Sequence, residues 1–302
     1  MTPDVPAGAG AAAVPDLRTS LHAIAVDRDI VRVAGPDAIT YLQGQLSHDV
    51  TDLAPGEVGW TFVLQPTGKV HAWARLVRTA DDEVVLDVDG GYGEALIARL
   101  RRFLLRTKAD VDPVDWRVVA LRGPGAEAAA RDAASADLRV PAEWPGVEGF
   151  DLVGPEVELP ADVPVATRDA FEALRIRSGI PAMGAELTDA TIPAEVGQQI
   201  IDASVSFTKG CFTGQELVAR IDSRGGHVPR HLRGLVLPGA VPPEPGTTVV
   251  VDGAEVGTVT SSAPAPDGGA VALAFVKRAV EPPAEATVGG ALATILDLPL
   301  PG

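Results

Sequence analysis

"TTVVVDGAEVGTVTS", residues 247–261, is a strand–turn–strand pattern near the end of a 302-residue chain. β-Branched residues fill both arms, and the Asp252-Gly253 pair between them is typical of a tight type I′ turn. Apolar segments of strand length flank this hairpin, "HLRGLVLPG" at 231–239 and "GAVALAFVKRAV" at 269–280. Several short strands in succession predict a small closed barrel, so we expect an all-β module over residues 230–302.

The residues before this module combine strand-like and helix-like segments. Hairpins are predicted at 21–35, with a polar turn at 27–29, and at 59–78, with a turn at 66–68. An amphipathic helix is predicted at 93–106, and its apolar positions Leu96, Leu100, Phe103 and Leu104 are expected to face inward. Such interleaving predicts an α+β class for this half of the chain.

Further helices are predicted at 35–46 and 166–179, and a strand followed by a helix at 116–134. Residues 138–166 are rich in proline and glycine, so we expect a connector there between two mixed subdomains of a region spanning 17–229. Residues 180–206 are predicted to be mostly irregular. The first 16 residues resemble a flexible tail rather than a signal peptide, because they contain no basic residue and no leucine-rich segment.

The composition excludes several classes of function. A formal net charge of −16 argues against general nucleic-acid binding, because the phosphate backbone would be repelled. The chain has a single cysteine, so it can form neither an internal disulfide nor a cysteine-based zinc site. This usage fits a reducing cytoplasm. No apolar run approaches the ~20 residues of a membrane helix.

The lone thiol, Cys211, lies in "FTKGCFTGQELVAR" at 207–220. Thr213 and Glu216 fit a capping box at the start of a helix, whose positive end would then face the cysteine. Together with the charge of Lys209, this predicts a thiolate. Gly210 would allow close approach of a ligand to the backbone. The competing interpretation is a buried, inert cysteine, and the local residues alone leave the two evenly balanced.

A basic cluster follows, formed by Arg220, Arg224, Arg230 and Arg233. It suits a carboxylate- or phosphate-bearing ligand, although a solvated face paired with acidic residues is the alternative. His227 and His231 have the spacing of metal ligands on a helix, but Pro229 between them argues against a helix, so no metal is predicted.

"KGCFTGQE" at 209–216 resembles the signature of the YgfZ-type folate-binding proteins, which are related to the aminomethyltransferase of glycine cleavage, the T-protein. Further segments agree in the expected order, namely "YLQGQLSHDV" (41–50), "QPTGKV" (65–70), "RFLLRTKADV" (102–111), "ALRIRSGIPAMG" (173–184), "IPAEVG" (192–197) and the barrel segment 256–276. The resemblance covers the chain from about residue 21 to the end.

This resemblance implies a ring of three subdomains, two of them ferredoxin-like, around a central cavity for tetrahydrofolate, plus the C-terminal barrel. It also implies a cytoplasmic accessory role in iron–sulfur cluster assembly or repair, which supports a tRNA-modifying enzyme. The expected partners are folate and iron–sulfur proteins or assembly factors, without direct nucleic-acid or membrane contact and without a tightly bound metal.

The chain departs from the T-protein where that family has an acidic pair. His71, Ala72 and Trp73 replace the region of the catalytic aspartate, and Arg177 replaces a glutamate in "LRIRSG". Without this carboxylate, ordinary aminomethyl transfer is not expected. A divergent folate-dependent one-carbon enzyme, an aminomethyltransferase or demethylase, is the alternative function, and a purely binding module with a silent cysteine is a third.

The predicted site residues follow from the signature and the resemblance. Cys211 and Lys209 are the predicted chemical groups. Trp73 or Trp60 would stack on a folate ring. The other predicted ligand-binding residues are Gln45 and Glu195 for the pterin, Arg106, Arg220 or Arg224 for the glutamate tail, and Gly210, Gln215 and Glu216 of the signature.

Overall fold

The computed structural model describes residues 14–301, so the predicted tail lies outside them except for Val14–Asp16. The strands are β1 (His22–Val26), β2 (Arg28–Ala34), β3 (Val58–Leu64), β4 (Val70–Ala80), β5 (Glu83–Asp89), β6 (Asp110–Val114), β7 (Arg117–Arg122), β8 (Leu138–Pro141), β9 (Gly149–Gly154), β10 (Arg230–Leu237), β11 (Thr248–Val251), β12 (Ala254–Pro264), β13 (Ala270–Lys277), β14 (Ala284–Val288) and β15 (Ala291–Leu296). The α-helices are α1 (Ala38–Gln45), α2 (Gly93–Arg101), α3 (Ala126–Asp132), α4 (Arg168–Arg177), α5 (Gln198–Ser204) and α6 (Gln215–Ser223), and a 3₁₀ turn spans Pro193–Val196.

The strands form two open antiparallel sheets and one closed barrel. The five-stranded sheet has the order β3-β4-β5-β2-β6, and the four-stranded sheet has the order β1-β7-β9-β8. The barrel has the order β10-β13-β12-β11-β14-β15. The predicted mixed class with a C-terminal barrel is therefore confirmed.

The hairpin predicted at 21–35 is wrong. β1 pairs with β7 in the four-stranded sheet, whereas β2 pairs with β5 and β6 in the five-stranded sheet. Only Asp27 separates β1 from β2. One residue is too short for a hairpin loop, so the chain crosses from one sheet to the other at this point. The two sheets are thus joined where β1 ends, which leaves a space between them.

The hairpin predicted at 59–78 is present as β3 and β4, with its turn at 66–68. The connector predicted at 138–166 is only partly a connector, because it contains β8 and β9, half of the four-stranded sheet. Strands of four and six residues between prolines and glycines carry too little periodic signal to be recognised in a sequence. The segment 180–206 is likewise less irregular than predicted, since it contains α5.

Helix α2 is shorter than predicted and ends at Arg101. Leu96 and Leu100 are buried as expected, but Phe103 is 40 % exposed. After the helix ends, the chain turns with hydrogen bonds from the Phe103 and Leu104 amides to the Leu100 and Arg101 carbonyls. The helical periodicity no longer applies beyond that turn, which explains the wrong orientation for Phe103.

The barrel contains the predicted hairpin as β11 and β12. Asp252 and Gly253 both have positive φ, 50° and 77°, as a type I′ turn requires. Leu235, Val249 and Ile295 are fully buried in the barrel interior. Between residues 14 and 301 there is no helix long and apolar enough to cross a membrane.

Candidate functional site

A cavity of about 430 Å³ lies between the two open sheets and α4. We call it the central cavity. Its walls come from seven strands, from α4 and from the loop at 180–182, so residues far apart in the sequence meet there. A cavity of this size at the junction of structural layers is typical of small-molecule binding sites.

Aromatic side chains form two walls of the central cavity. Trp60 on β3 and Trp73 on β4 stack with ring centroids 4.1 Å apart. The Trp73 indole donates a hydrogen bond to Ser204 Oγ at 2.9 Å, which fixes the ring. Trp144 and Phe171 face the same cavity, with centroids 5.3 Å apart. Flat, rigid walls of this kind favour a ligand with planar rings.

The buried charged groups of the central cavity are paired with one another. Asp151 accepts hydrogen bonds from Arg75 at 2.6 Å and from Arg122 at 2.7 Å, and Arg75 also pairs with Asp87. Burial alone would raise the pKa of Asp151, but the Arg122 and Arg75 guanidinium groups hold it at about 2. Asp151 is therefore ionised, and it links β4 of one sheet to β7 and β9 of the other.

A cation, Arg168, lies at the rim of the cavity at the start of α4. Arg168 is exposed, and no carboxylate among residues 14–301 lies within ion-pair distance of it. Thr167 caps the helix by accepting a hydrogen bond from the Ala170 amide. Arg168 is thus held at the mouth of the cavity and is available to an acidic group.

Cys211 lies elsewhere, in a segment at 206–214 that we call the signature loop. The thiol is exposed and is absent from the lining of the central cavity. The loop is tied to the five-stranded-sheet subdomain through backbone hydrogen bonds from Ser206 to Ser47 and from Thr213 to Gly44. The alternative in which Cys211 is buried is therefore wrong.

Lys209, the other predicted chemical group, lies in the same loop. Its side chain is buried, and the ammonium group donates to the carbonyls of Leu46 at 2.8 Å and His48 at 2.7 Å. Burial lowers the pKa of Lys209 to about 8, against a smaller opposing effect of Asp49. With these hydrogen bonds, the lysine anchors the signature loop to the end of α1.

The predicted capping box is wrong. Helix α6 begins at Gln215 with Gly214 as its N-cap, at a φ of 81°, and no side chain caps it. Glu216 instead pairs with Arg220 one turn later, at 2.5 Å. Gly214 is required there because a Cβ would lie 2.5 Å from the Gln65 carbonyl oxygen. Close packing against the 66–68 turn, rather than a polar cap, fixes the start of the helix.

Of the residues predicted to bind the ligand, Trp73 and Trp60 line the central cavity and the others do not. Gln45 accepts a hydrogen bond from Arg99, and Glu195 is buried against Arg230. The remaining predicted residues lie on exposed loops or on α6: Arg106, Gly210, Gln215, Glu216, Arg220 and Arg224. His71 is also outside the cavity, with its Nε2 atom 3.2 Å from the Ala95 carbonyl oxygen.

Four residues of the cavity wall were not predicted from the sequence, namely Arg75, Arg122, Asp151 and Arg168. Arg75 and Arg122 occur within apolar strands, and a charge in such a position is a signal that could have been used. Asp151 and Arg168 carry no comparable signal. In residues 14–301 no three histidine, cysteine or acidic side chains are grouped so as to hold a metal ion.

Comparison with known proteins connects this geometry to a family. The family model of the glycine cleavage T-protein C-terminal barrel domain matches residues 230–296, the barrel described above. An uncharacterised protein of Haemophilus influenzae is 30 % identical over 196 residues, which cover 65 % of this chain and 66 % of that protein. The tRNA-modifying protein YgfZ of Vibrio vulnificus is 28 % identical over 230 residues, with coverages of 70 % and 68 %. The chain belongs to the YgfZ and T-protein family.

The crystal structure of the glycine cleavage system aminomethyltransferase T from Bartonella henselae has the same fold. It superimposes with a TM-score of 0.75 at 21 % identity, and covers 94 % of this chain and 87 % of that one. The YgfZ and T-protein fold therefore extends through both open sheets as well as the barrel. The predicted family membership is confirmed.

Proposed function

We propose that this YgfZ-type chain binds a tetrahydrofolate derivative in the central cavity and acts as an accessory protein in iron–sulfur cluster assembly or repair. The observation that carries the proposal is the cavity itself, which joins flat aromatic walls to an unpaired arginine at its rim. A folate has the matching parts, a planar pterin, a benzoyl ring and an acidic glutamate tail.

The residues of the cavity fit such a ligand. Trp60 and Trp73 offer an aromatic surface to a planar ring, and Trp144 with Phe171 offers a second one. Arg168 at the rim suits the glutamate carboxylates, because a guanidinium group binds a carboxylate in a bidentate manner. We therefore assign the tail to Arg168 in preference to Arg106, Arg220 and Arg224.

Aminomethyl transfer is the second candidate, because the T-protein fold is that of an aminomethyltransferase. That chemistry would need a carboxylate that is free to act on the bound folate. Among the carboxylates of the cavity wall, Asp151 and Asp89 are held by arginines. Asp27 and Asp169, which have no arginine partner within residues 14–301, are solvent-exposed. Trp73, in place of the acidic region, donates its indole hydrogen to Ser204. These contacts favour binding over catalysis.

In this proposal Cys211 is the functional thiol of the accessory role. Its side chain is exposed on the signature loop, so a partner protein can reach it. One thiol cannot hold an iron–sulfur cluster alone, so contact with a cluster requires ligands from a partner or from small thiols. Ligand binding and thiol chemistry are thus assigned to two separate places on the molecule.

Calorimetry with tetrahydrofolate tests the binding site. We expect Arg168→Ala to weaken binding by about tenfold, as the loss of one charge-assisted contact predicts. The matched variant Arg220→Ala removes an arginine outside the cavity and is expected to bind as wild type. Equal weakening by both variants, or no binding to the wild-type chain, would overturn the assignment.

A second test addresses the thiol. In a strain that lacks the gene, we expect the wild-type chain to restore the activity of an iron–sulfur enzyme and Cys211→Ser to fail. The double variant Cys211→Ser/Ser223→Cys keeps one exposed thiol at a different position, on α6, and should also fail. Rescue by Cys211→Ser would show that the thiol is dispensable. Steady turnover of an aminomethyl donor with tetrahydrofolate would instead support the enzyme.

A further inference from the structure

The chain between α2 and β6 exposes cationic and apolar side chains side by side. We call residues 102–108 the basic apolar loop. Arg102, Arg106 and Lys108 are exposed there, and none of them lies within ion-pair distance of a carboxylate in the described range 14–301. The chain has a net charge of −16, so acidic groups are abundant. Even so, none of those in the described range pairs with these three cations.

The same loop leaves large apolar side chains in solvent. Leu105 is 87 % exposed and Phe103 is 40 % exposed. The guanidinium carbon of Arg99 lies 4.3 Å from the centre of the Phe103 ring and holds it at the surface. A single exposed leucine needs no explanation. A leucine and a phenylalanine bordered by three cations, however, have the arrangement of an interface patch, in which apolar side chains lie at the centre and polar ones form the rim.

The loop has a defined conformation. The amide of Lys108 donates to the Asp37 carboxylate at 2.8 Å, and its carbonyl accepts from the Asp37 amide at 3.2 Å. At the other end, the Arg102 amide donates to the Ala98 carbonyl and the Phe103 amide donates to the Leu100 carbonyl. Arg106 has a φ of 63°, in the left-handed region that non-glycine residues rarely adopt. Residues 102–106 are thus displayed by a strained turn that is anchored on both sides.

We propose that the basic apolar loop is a docking surface for a protein partner that presents carboxylates around an apolar cleft. Charge complementarity favours carboxylates, because the loop is locally cationic. Leu105 and Phe103 favour a protein over a nucleic acid, since phosphate groups offer no apolar contact to a leucine. A long polyanion would also be repelled by the rest of the chain, whereas a compact acidic patch would meet only the loop.

This surface is separate from the folate proposal. No residue of the basic apolar loop lines the central cavity. Docking on the loop and ligand binding in the cavity can therefore fail independently, and a titration with tetrahydrofolate on the loop variants separates the two.

The test uses the full chain and a fluorescein-labelled amphipathic peptide of glutamate and leucine, with a lysine–leucine peptide of equal length as the comparison. We expect fluorescence anisotropy to show salt-sensitive binding of the acidic peptide only. The double variant Arg102→Glu/Lys108→Glu should weaken this binding by about tenfold or more. The variant Leu105→Ser should weaken it with little change in salt dependence.

The matched control is Arg117→Glu/Arg278→Glu, which changes the net charge equally at two exposed arginines outside the loop. We expect it to bind the acidic peptide nearly as wild type, and all variants to keep the wild-type circular dichroism spectrum. No binding of the acidic peptide, or equal loss in the control, overturns the proposal. Tighter, loop-dependent binding of a single-stranded RNA oligonucleotide overturns it as well, and so does a loop-dependent dimer in sedimentation velocity.

Discussion

The central cavity and the signature loop differ in how their polar groups are fixed. In the cavity, arginines and aspartates from both open sheets form ion pairs with one another, and two tryptophans stack on each other. In the signature loop, consecutive residues are held by backbone groups of α1 and the loop after it, and the thiol stays exposed. The cavity is formed by residues that are distant in the sequence. The signature loop is one contiguous segment that is held in place by neighbouring backbone groups. In our proposal, this difference separates the ligand site from the functional thiol.

The largest expected effect is that of Asp151→Asn. This change leaves Arg75 and Arg122 buried without their shared carboxylate, so we expect the free energy of unfolding to fall by about 3–5 kcal/mol. Chemical denaturation measures it. The control Asp112→Asn removes the partner of the exposed Arg101 and should change stability by less than about 1 kcal/mol.

The pH dependence of this effect has a definite sign. The pKa of Asp151 is about 2 in the folded chain, below its ordinary value of 3.8, so the carboxylate stabilises the fold above pH 3.8. This stabilisation is lost as the pH falls from 3.8 toward 2. The difference between wild type and Asp151→Asn should therefore shrink over that range. A constant difference would show that Asp151 does not hold the two sheets together by charge.

Lys209→Met tests whether the signature lysine is an anchor. The variant leaves the carbonyls of Leu46 and His48 without their charged donor, and we expect a loss of about 2 kcal/mol. Lys277→Met, which removes an exposed lysine bonded to the Glu255 carbonyl, should cost less than about 0.5 kcal/mol. Equal effects of the two variants would contradict the anchoring role.

The lysine also predicts a pH effect. Because the pKa of Lys209 is lowered to about 8 in the folded chain, the unfolded chain binds more protons between pH 8 and 10.5. Wild-type stability should therefore rise over this range relative to Lys209→Met. A difference between wild type and Lys209→Met that does not change from pH 8 to 10.5 would place the lysine in solvent.

Trp73→Phe probes the wall of the cavity. It keeps an aromatic ring but removes the indole donor to the buried Ser204 hydroxyl, so we expect a loss of about 1–3 kcal/mol. Thermal unfolding measures the change. If the cavity binds a planar ligand, the affinity for tetrahydrofolate should also fall, because the stacked surface shrinks.

The smallest expected effect is that of Cys211→Ser. The thiol is exposed, so stability should change by less than about 0.5 kcal/mol, and tetrahydrofolate should bind as to wild type. Differential scanning calorimetry and titration calorimetry measure the two quantities. A strong loss of tetrahydrofolate affinity in Cys211→Ser would show that the signature loop and the central cavity form a single site.

Local sequence patterns were enough to predict the helices and hairpins whose stabilising contacts lie close together in the chain. The sequence predicted the 247–261 hairpin, the β3–β4 hairpin and the amphipathic helix α2, because turn chemistry and apolar periodicity act within a few residues. The signature at 209–216 identified the family for the same reason, since it is contiguous. Arg75 and Arg122, by contrast, carry little local signal of their partner Asp151 on β9.

The tertiary structure decided where strands and charges meet. β1 and β2 enter different sheets, and that crossing places the cavity between the sheets. Asp151, a residue within the predicted connector, binds arginines 76 and 29 residues away along the chain. Phe103 is exposed rather than buried, because α2 ends at Arg101, before the predicted end of the helix at residue 106. Contacts of this kind depend on how whole layers pack, and no periodicity in a single segment encodes that packing.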